Sequence, residues 1–170
     1  MAYDRRMSAS SADRLILPDG VRLASLLTSV GPNGRTLGLY DTAWAAHDEP
    51  LVYTHVFTIL PGRAKGWGRH EHHDDRYALL SGSIEIALCD MRMGSATRGA
   101  RTIIPVHDGD RQLVVIPRGV WHATRNVGSA EAIVVDFPTH PYGHEAPDKY
   151  VLPLDTDELP MRLGPEWRGG

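Results

Sequence analysis

Apolar residues along this chain come in short runs broken by turn formers, and the runs are rich in β-branched and aromatic types. Leu51 to Leu60 (LVYTHVFTIL) is closed by Pro61-Gly62. Tyr77 to Leu80 is followed by Ser81-Gly82-Ser83 and then by Ile84 to Leu88. Arg101 to Val106 and Gln112 to Ile116 flank His107-Asp108-Gly109-Asp110. By composition these two connections predict hairpins. Ile116-Pro117-Arg118-Gly119 turns the chain again, and Ala132 to Phe137 is the last long apolar run. Nearer the start, Val21 to Val30 reads as a strand or a helical turn, broken at Gly31-Pro32-Asn33-Gly34, and Thr36 to Tyr40 is a short strand. No stretch sustains a 3.6-residue apolar period long enough for a core helix. Short strands recurring every eight to twelve residues predict an all-β antiparallel sandwich or barrel.

The ends read differently. Residues 1–20 are polar apart from Leu15-Ile16-Leu17 and stop at the turn signal Pro18-Asp19-Gly20, which predicts an N-terminal arm with a short edge strand. The barrel is expected over 36–137. Beyond it, Pro138, Pro141, Pro147, Pro153, Pro160 and Pro165 predict a tail over 138–170 that wraps as loop with short elements at most. A length of 170 residues fits one domain. With 18 basic and 21 acidic residues and a pI near 6.3 there is no basic face, so no nucleic-acid partner is expected. Of the 18 basic residues only Lys65 and Lys149 are lysines, read first as a genome bias and second as anion recognition. The single cysteine, Cys89, excludes an internal disulfide and reads as a buried filler. No apolar run approaches the roughly 18 residues of a membrane span, and the first twenty residues lack the apolar core of a secretory signal. A cytoplasmic protein with no membrane partner is the expectation.

The candidate chemistry lies in histidines. Arg69-His70-Glu71-His72-His73-Asp74-Asp75-Arg76 packs three imidazoles into four positions. On a strand, His70 and His72 share one face, and a slip of one residue in register turns His73 inward in place of His72, so the sequence leaves that choice open. Two such imidazoles with a nearby carboxylate can hold a divalent cation, while a solvated His-rich loop is the competing reading. Fifty residues on, His122 follows the Pro117-Gly119 turn and can point into a barrel lumen.

Pro117, Gly119, His122 and Asn126 stand at the spacing of the second motif of the cupin superfamily, which this segment resembles. His70 and His72, followed by Gly82, are similar to the first motif, although its glutamate position falls on Arg76 or Tyr77; Asp75 has the right spacing to Gly82. A narrower resemblance covers Leu51 to Pro160. Lys65-Gly66-Trp67-Gly68, the stretch from Ala87 to Gly99, Leu113 to His122 and the ending from Tyr142 to Pro160 are similar, in order, to segments of the dTDP-4-dehydrorhamnose 3,5-epimerases (RmlC-like). The resemblance implies a double-stranded β-helix or jelly-roll barrel and a homodimer. It also implies a general base at Gly68 and a general acid in Ile133 to Phe137, where Val134 and Val135 stand, so both groups are substituted. His70 or His72 then serves as a displaced base, and Asp155 or Asp157 matches the aspartate that orients it.

Three functions follow from these residues. The first is an isomerase or epimerase acting on a keto-sugar nucleotide or related carbonyl compound, with His70, His72 and His122 as the working groups. The second is a metal-dependent cupin, an oxygenase or cyclase holding Fe, Mn, Ni or Zn on His70, His72, His122 and Asp75 or Asp74. The third is a small-molecule-binding module without chemistry. Substrate contacts are expected from Lys65, Trp67, Arg69, Asp90, Arg92 and Trp121; for the tryptophans core packing competes, and for Asp90 and Arg92 a turn-stabilising pair.

Overall fold

The computed structural model describes residues 16–41, 49–141, 143 and 148–169, so most of the expected N-terminal arm lies outside the described residues. Those residues form twelve strands and no helix. In chain order they are β1 (Arg22–Ser25), β2 (Thr28–Gly31), β3 (Gly34–Leu37), β4 (His55–Ile59), β5 (Ala64–His70), β6 (Asp75–Ser81), β7 (Ser83–Asp90), β8 (Arg101–His107), β9 (Gln112–Ile116), β10 (Val120–Asn126), β11 (Ala132–Asp136) and β12 (Lys149–Val151). Two five-stranded sheets, β1-β9-β6-β11-β4 and β12-β5-β10-β7-β8, pack as a jelly roll, and β2 and β3 form a separate hairpin. Every pairing between these strands is antiparallel. Among the described residues no helix is long and apolar enough to cross a membrane.

Both expected hairpins are corrected by this topology. β6 and β7 lie in different sheets, and so do β8 and β9. Turn composition sets where the chain reverses; the pairing partner is set by which sheet must close over the core. Ser81-Gly82-Ser83 carries the chain from one sheet to the other, with Gly82 at φ +102°, where a Cβ would sit 3.0 Å from the Ala132 backbone. Val21 to Val30 resolves into β1 and β2, and only the second half of Leu51 to Leu60 is strand.

The inner faces of the sheets meet in one cluster that includes Leu79, Ile86, Leu88, Ile104, Val114 and Val134. The outer face of the first sheet (Ala78, Leu113, Val115, Val135, Phe137) is covered by Leu26 and the segment running from β3 to Tyr40. The outer face of the second (Ala64, Trp67, Ala87, Cys89, Ala123) is covered by Leu154, Leu159 and Trp167 of the tail. Strands buried on both faces read as continuous apolar runs rather than alternation, as in Leu113 to Ile116. Burial pushes the Cys89 thiol up to about 11, an inert filler as expected.

Asp90 and Arg92 stabilise a turn and do not reach the pocket described below. The buried Asp90 carboxylate accepts hydrogen bonds from Arg92 Nε (3.0 Å) and Nη2 (2.8 Å), Ser95 Oγ (2.6 Å) and Thr97 Oγ1 (2.8 Å). Burial opposes its charge, but these donors outweigh that and hold the carboxyl far below the usual range. A group depressed in this way stabilises the fold above about pH 4 and loses that contribution as pH falls further. Asp90→Asn is therefore expected to cost about 3 kcal/mol by denaturant unfolding at pH 7. The difference from wild type shrinks as pH is lowered below about 4.

Candidate functional site

The site forms where β5 ends. β5 runs to His70, the chain bends through Glu71-His72-His73-Asp74, and β6 starts at Asp75. The bend is tied from three sides. Asp148 accepts the His72 N–H at 2.9 Å, Asp74 accepts the Arg118 N–H at 2.9 Å, and the His70 carbonyl accepts the Gly119 N–H at 2.7 Å. Because the strand stops at His70, the alternation that paired His70 with His72 does not continue. His72 is exposed and outside the pocket, which corrects its expected role, and His73 is the residue that turns inward.

The inner faces of β4, β5, β6, β10 and β11 enclose a pocket of about 270 Å³. At its floor Asp75, only 2% exposed, is met by three imidazoles. Nε2 of His122 lies 3.2 Å from Asp75 Oδ2, Nε2 of His70 lies 3.7 Å from Oδ2, and Nε2 of His73 lies 3.3 Å from Oδ1. The far ring nitrogens have partners of their own. Nδ1 of His70 and of His73 meet the two oxygens of Asp148 at 3.4 and 3.0 Å, and Nδ1 of His122 meets the Val120 carbonyl at 3.2 Å. The Tyr77 hydroxyl donates to Asp75 Oδ2 at 3.4 Å. Asp136 stands directly between His55 and Tyr77 across β4, β11 and β6, and its Oδ2 lies 3.7 Å from Nε2 of His55.

Electrostatics divides these groups. Burial pushes His70 down to about 4 and also lowers His122 and His55, so their rings are neutral near pH 7. For His73 burial is outweighed by the carboxylates of Asp75 and Asp148, which raise it. Burial opposes the charge on Asp75, but the hydrogen bond with His73, the imidazole that is raised, comes first among the contacts that outweigh it and hold the carboxyl below its usual range. Burial, then the Asp75 charge, raise Asp136 well above the usual carboxylate range, which favours its neutral, protonated form. Burial and the two carboxyls raise the Tyr77 phenol, which keeps its proton.

Of the expected site residues, His70, His122, Asp75 and Lys65 line this pocket. Trp67, Arg69 and Trp121 do not: a β-bulge between Lys65 and Gly68 shifts the alternation of β5, so that Lys65 faces in while Trp67 and Arg69 face out, and Trp121 faces out from β10. Trp67 is buried under the tail, and the Arg69 guanidinium lies over the rings of Trp121 and Tyr150 at 5.5 and 4.3 Å. Asp155 and Asp157 are exposed; the carboxylate that orients His70 is Asp148. At the expected acid position Val134 and Val135 are core, on opposite faces of β11, and Asp136 is the next inward residue. Gly68 is not forced by its backbone: a Cβ there would meet only Lys149 Cε at 3.4 Å and His122 Nε2 at 3.5 Å. Its missing side chain opens the pocket. The sequence left open which of His72 and His73 faces inward, and it is His73 that lines the pocket; His55, Tyr77, Asp136 and Asp148 were not predicted, and a carboxylate inside the apolar run 132–137 was the one signal available for Asp136.

No protein-family model matches the chain. Among curated proteins it is similar to the probable low-salt glycan biosynthesis epimerase Agl13 of Haloferax volcanii, 24% identical over 136 residues and covering 79% of this chain and 87% of that protein. It is 29% identical over 108 residues to the spore coat polysaccharide biosynthesis protein SpsL of Bacillus subtilis, covering 64% and 72%. Among solved structures it matches a dTDP sugar isomerase from Desulfovibrio desulfuricans with a TM-score of 0.79 and 23% identity, over 86% of this chain and 93% of that one. It also matches NovW of Streptomyces spheroides, a 4-keto-6-deoxy sugar epimerase, with a TM-score of 0.77 and 18% identity over 97% and 86%. The chain therefore has the fold of the dTDP-sugar epimerases, as the sequence resemblance implied.

Proposed function

We propose that this chain, folded as the dTDP-sugar epimerases are, is an isomerase or epimerase that moves a proton at a carbon beside the carbonyl of a nucleotide-linked keto-sugar. The observation that carries the reading is His70, a neutral imidazole oriented by Asp148 through Nδ1 in a pocket that also holds the Tyr77 hydroxyl and the neutral Asp136 carboxyl. The Nε2 lone pair takes the proton, the C–H electron pair passes into the enolate, and the charge on Asp148 stabilises the imidazolium that forms. The Tyr77 hydroxyl gives its proton to carbon as the enolate electron pair returns to form the C–H bond, and the Tyr77 phenolate and the His70 imidazolium are reset by proton exchange with solvent before the next turnover. None of these steps calls for a cofactor. The roles that the sequence gave to the pair His70 and His72 pass to His70 alone.

Lys65 and Lys149, the chain's only lysines, both line this pocket, which supports a phosphate-bearing substrate. A cytoplasmic homodimer of single-domain chains spanning 1–170 completes the proposal. β4 is an edge of the first sheet, and Val56 on it (56%) and Leu60 just after it (60%) are exposed, the kind of apolar edge that a second copy covers. The test is product analysis by proton NMR with a panel of nucleotide-linked 4-keto-6-deoxyhexoses. Inversion at a carbon flanking the ketone is expected for at least one of them; no conversion across the panel would overturn the assignment.

A further inference from the structure

We infer that the stack of Trp121, Arg69 and Tyr150 on the outer face of the second sheet pins the register of β12, and so positions Asp148 and Lys149 in the pocket from the far side of that sheet. The three are positioning residues that lie outside the pocket. Their link to catalysis rests on the proposed function; their hold on β12 does not.

β12 is three residues long, lies at the edge of its sheet and is exposed along its whole length. It pairs with β5, Lys149 opposite His70, Tyr150 opposite Arg69 and Val151 opposite Gly68. A strand this short gains little from its ladder, yet two pocket groups depend on it. Asp148, the residue before it, meets Nδ1 of His70 and of His73 and accepts the His72 N–H. Lys149 lines the pocket, with Cε 3.4 Å from where a Cβ on Gly68 would stand. Side chains alternate along a strand, so with Lys149 turned in, Tyr150 turns out. There the Arg69 guanidinium lies over the Tyr150 ring at 4.3 Å and over the Trp121 ring at 5.5 Å. Trp121 packs against the cluster under the tail, and Glu71 Oε2 holds Arg69 Nη2 at 3.2 Å. The stack therefore runs from packed core out to the edge strand.

The stack also selects one register. A slip of one residue would carry Asp148 about 3.3 Å along β5 and turn Lys149 to the outer face. It would set either the Lys149 ammonium or the aliphatic Val151 against the Arg69 guanidinium, and neither offers it a ring face. Arg69 and Trp121, expected from the sequence as substrate contacts, thus serve the site through β12.

The test compares the full-length wild type with Tyr150→Leu, Tyr150→Phe and Arg69→Met by amide hydrogen exchange, read by NMR without substrate. Three amides report on β12. Glu71 N–H donates to the Asp148 carbonyl at 3.2 Å, His72 N–H to Asp148 Oδ2 at 2.9 Å, and Leu152 N–H to the Trp67 carbonyl at 3.0 Å. Losing the cation–π contact is expected to speed exchange at all three by about three- to thirtyfold in Tyr150→Leu and in Arg69→Met. Tyr150→Phe keeps the ring face and the wild-type rates. Amides of β6 and β9 in the first sheet exchange as in wild type in every variant, which separates opening of β12 from loss of the fold. Solvent-deuterium uptake into a nucleotide-linked 4-keto-6-deoxyhexose is expected to fall about tenfold in Tyr150→Leu, because a small displacement of Asp148 loosens the orientation of His70, and to recover in Tyr150→Phe. Unchanged exchange at the three amides in Tyr150→Leu or Arg69→Met, or equal opening in Tyr150→Phe, would overturn the pin. Opened amides with full uptake by Tyr150→Leu would overturn its link to the pocket. The expected exchange pattern with no uptake by wild type would overturn only the isomerase reading.

Discussion

His70→Asn is expected to lower solvent-deuterium uptake into a nucleotide-linked keto-sugar by two to four orders of magnitude, the usual contribution of a positioned general base. Asparagine keeps a polar side chain of similar reach but has no lone pair basic enough to take a carbon-bound proton. The fold should survive, since His70 is partly buried and stands at a strand end rather than in the core clusters. Asp148→Asn separates orientation from chemistry. It leaves the imidazole in place but removes the charge that faces Nδ1, so a smaller loss of about tenfold to a thousandfold is expected. Uptake by His70→Asn at the wild-type rate would place the base elsewhere, and His55 would be the next residue to test. Its ring lies across the pocket and its buried Nδ1 has no partner among the described residues.

Arg76→Met is expected to destabilise the protein by about 3–5 kcal/mol, a large part of the roughly 5–15 kcal/mol that holds a domain folded. Arg76 is wholly buried behind the site, and its guanidinium joins three segments. It donates to the carbonyls of Phe137 and Pro138 where the chain leaves β11, and to those of Glu49 (2.9 Å) and Pro50 (3.0 Å) before β4. It also donates to the Tyr40 hydroxyl at 2.9 Å and lies over that ring. Methionine fills the space of the stem but leaves these acceptors without a donor, and lysine cannot reach them all from one point charge. Its backbone N–H also holds Asp136 Oδ1 at 3.0 Å, so local unfolding here would release the acid group of the site. Denaturant midpoints measure the effect. A midpoint shift worth less than 1 kcal/mol would contradict this account of Arg76.

The strands were legible because their residues are β-branched and their connections are turn formers, and the family resemblance supplied the barrel. Which strands pair was not legible: Ser81-Gly82-Ser83 looks like a hairpin turn because a sheet-to-sheet crossing needs the same glycine. The site was half legible. His70, Asp75 and His122 carry spacing signals, but His73 for His72 turns on where β5 stops. That in turn is fixed by Asp148, 78 residues from His70. Asp148 and Tyr77 carry no local mark of their role, since one gains it by the return of the tail and the other by cross-strand register. Trp67 and Trp121 were misplaced because nearness in sequence to the histidines is not nearness in space on alternating faces.

The central claim, that the pocket moves a proton beside a carbonyl through His70, is tested most directly by the protein in deuterium oxide with a nucleotide-linked 4-keto-6-deoxyhexose. NMR then follows deuterium at the carbons flanking the ketone. Deuterium is expected to enter at one or both of those carbons with wild-type protein and to enter at the background rate with His70→Asn. Background exchange with wild-type protein, or equal uptake by both proteins, would contradict the claim.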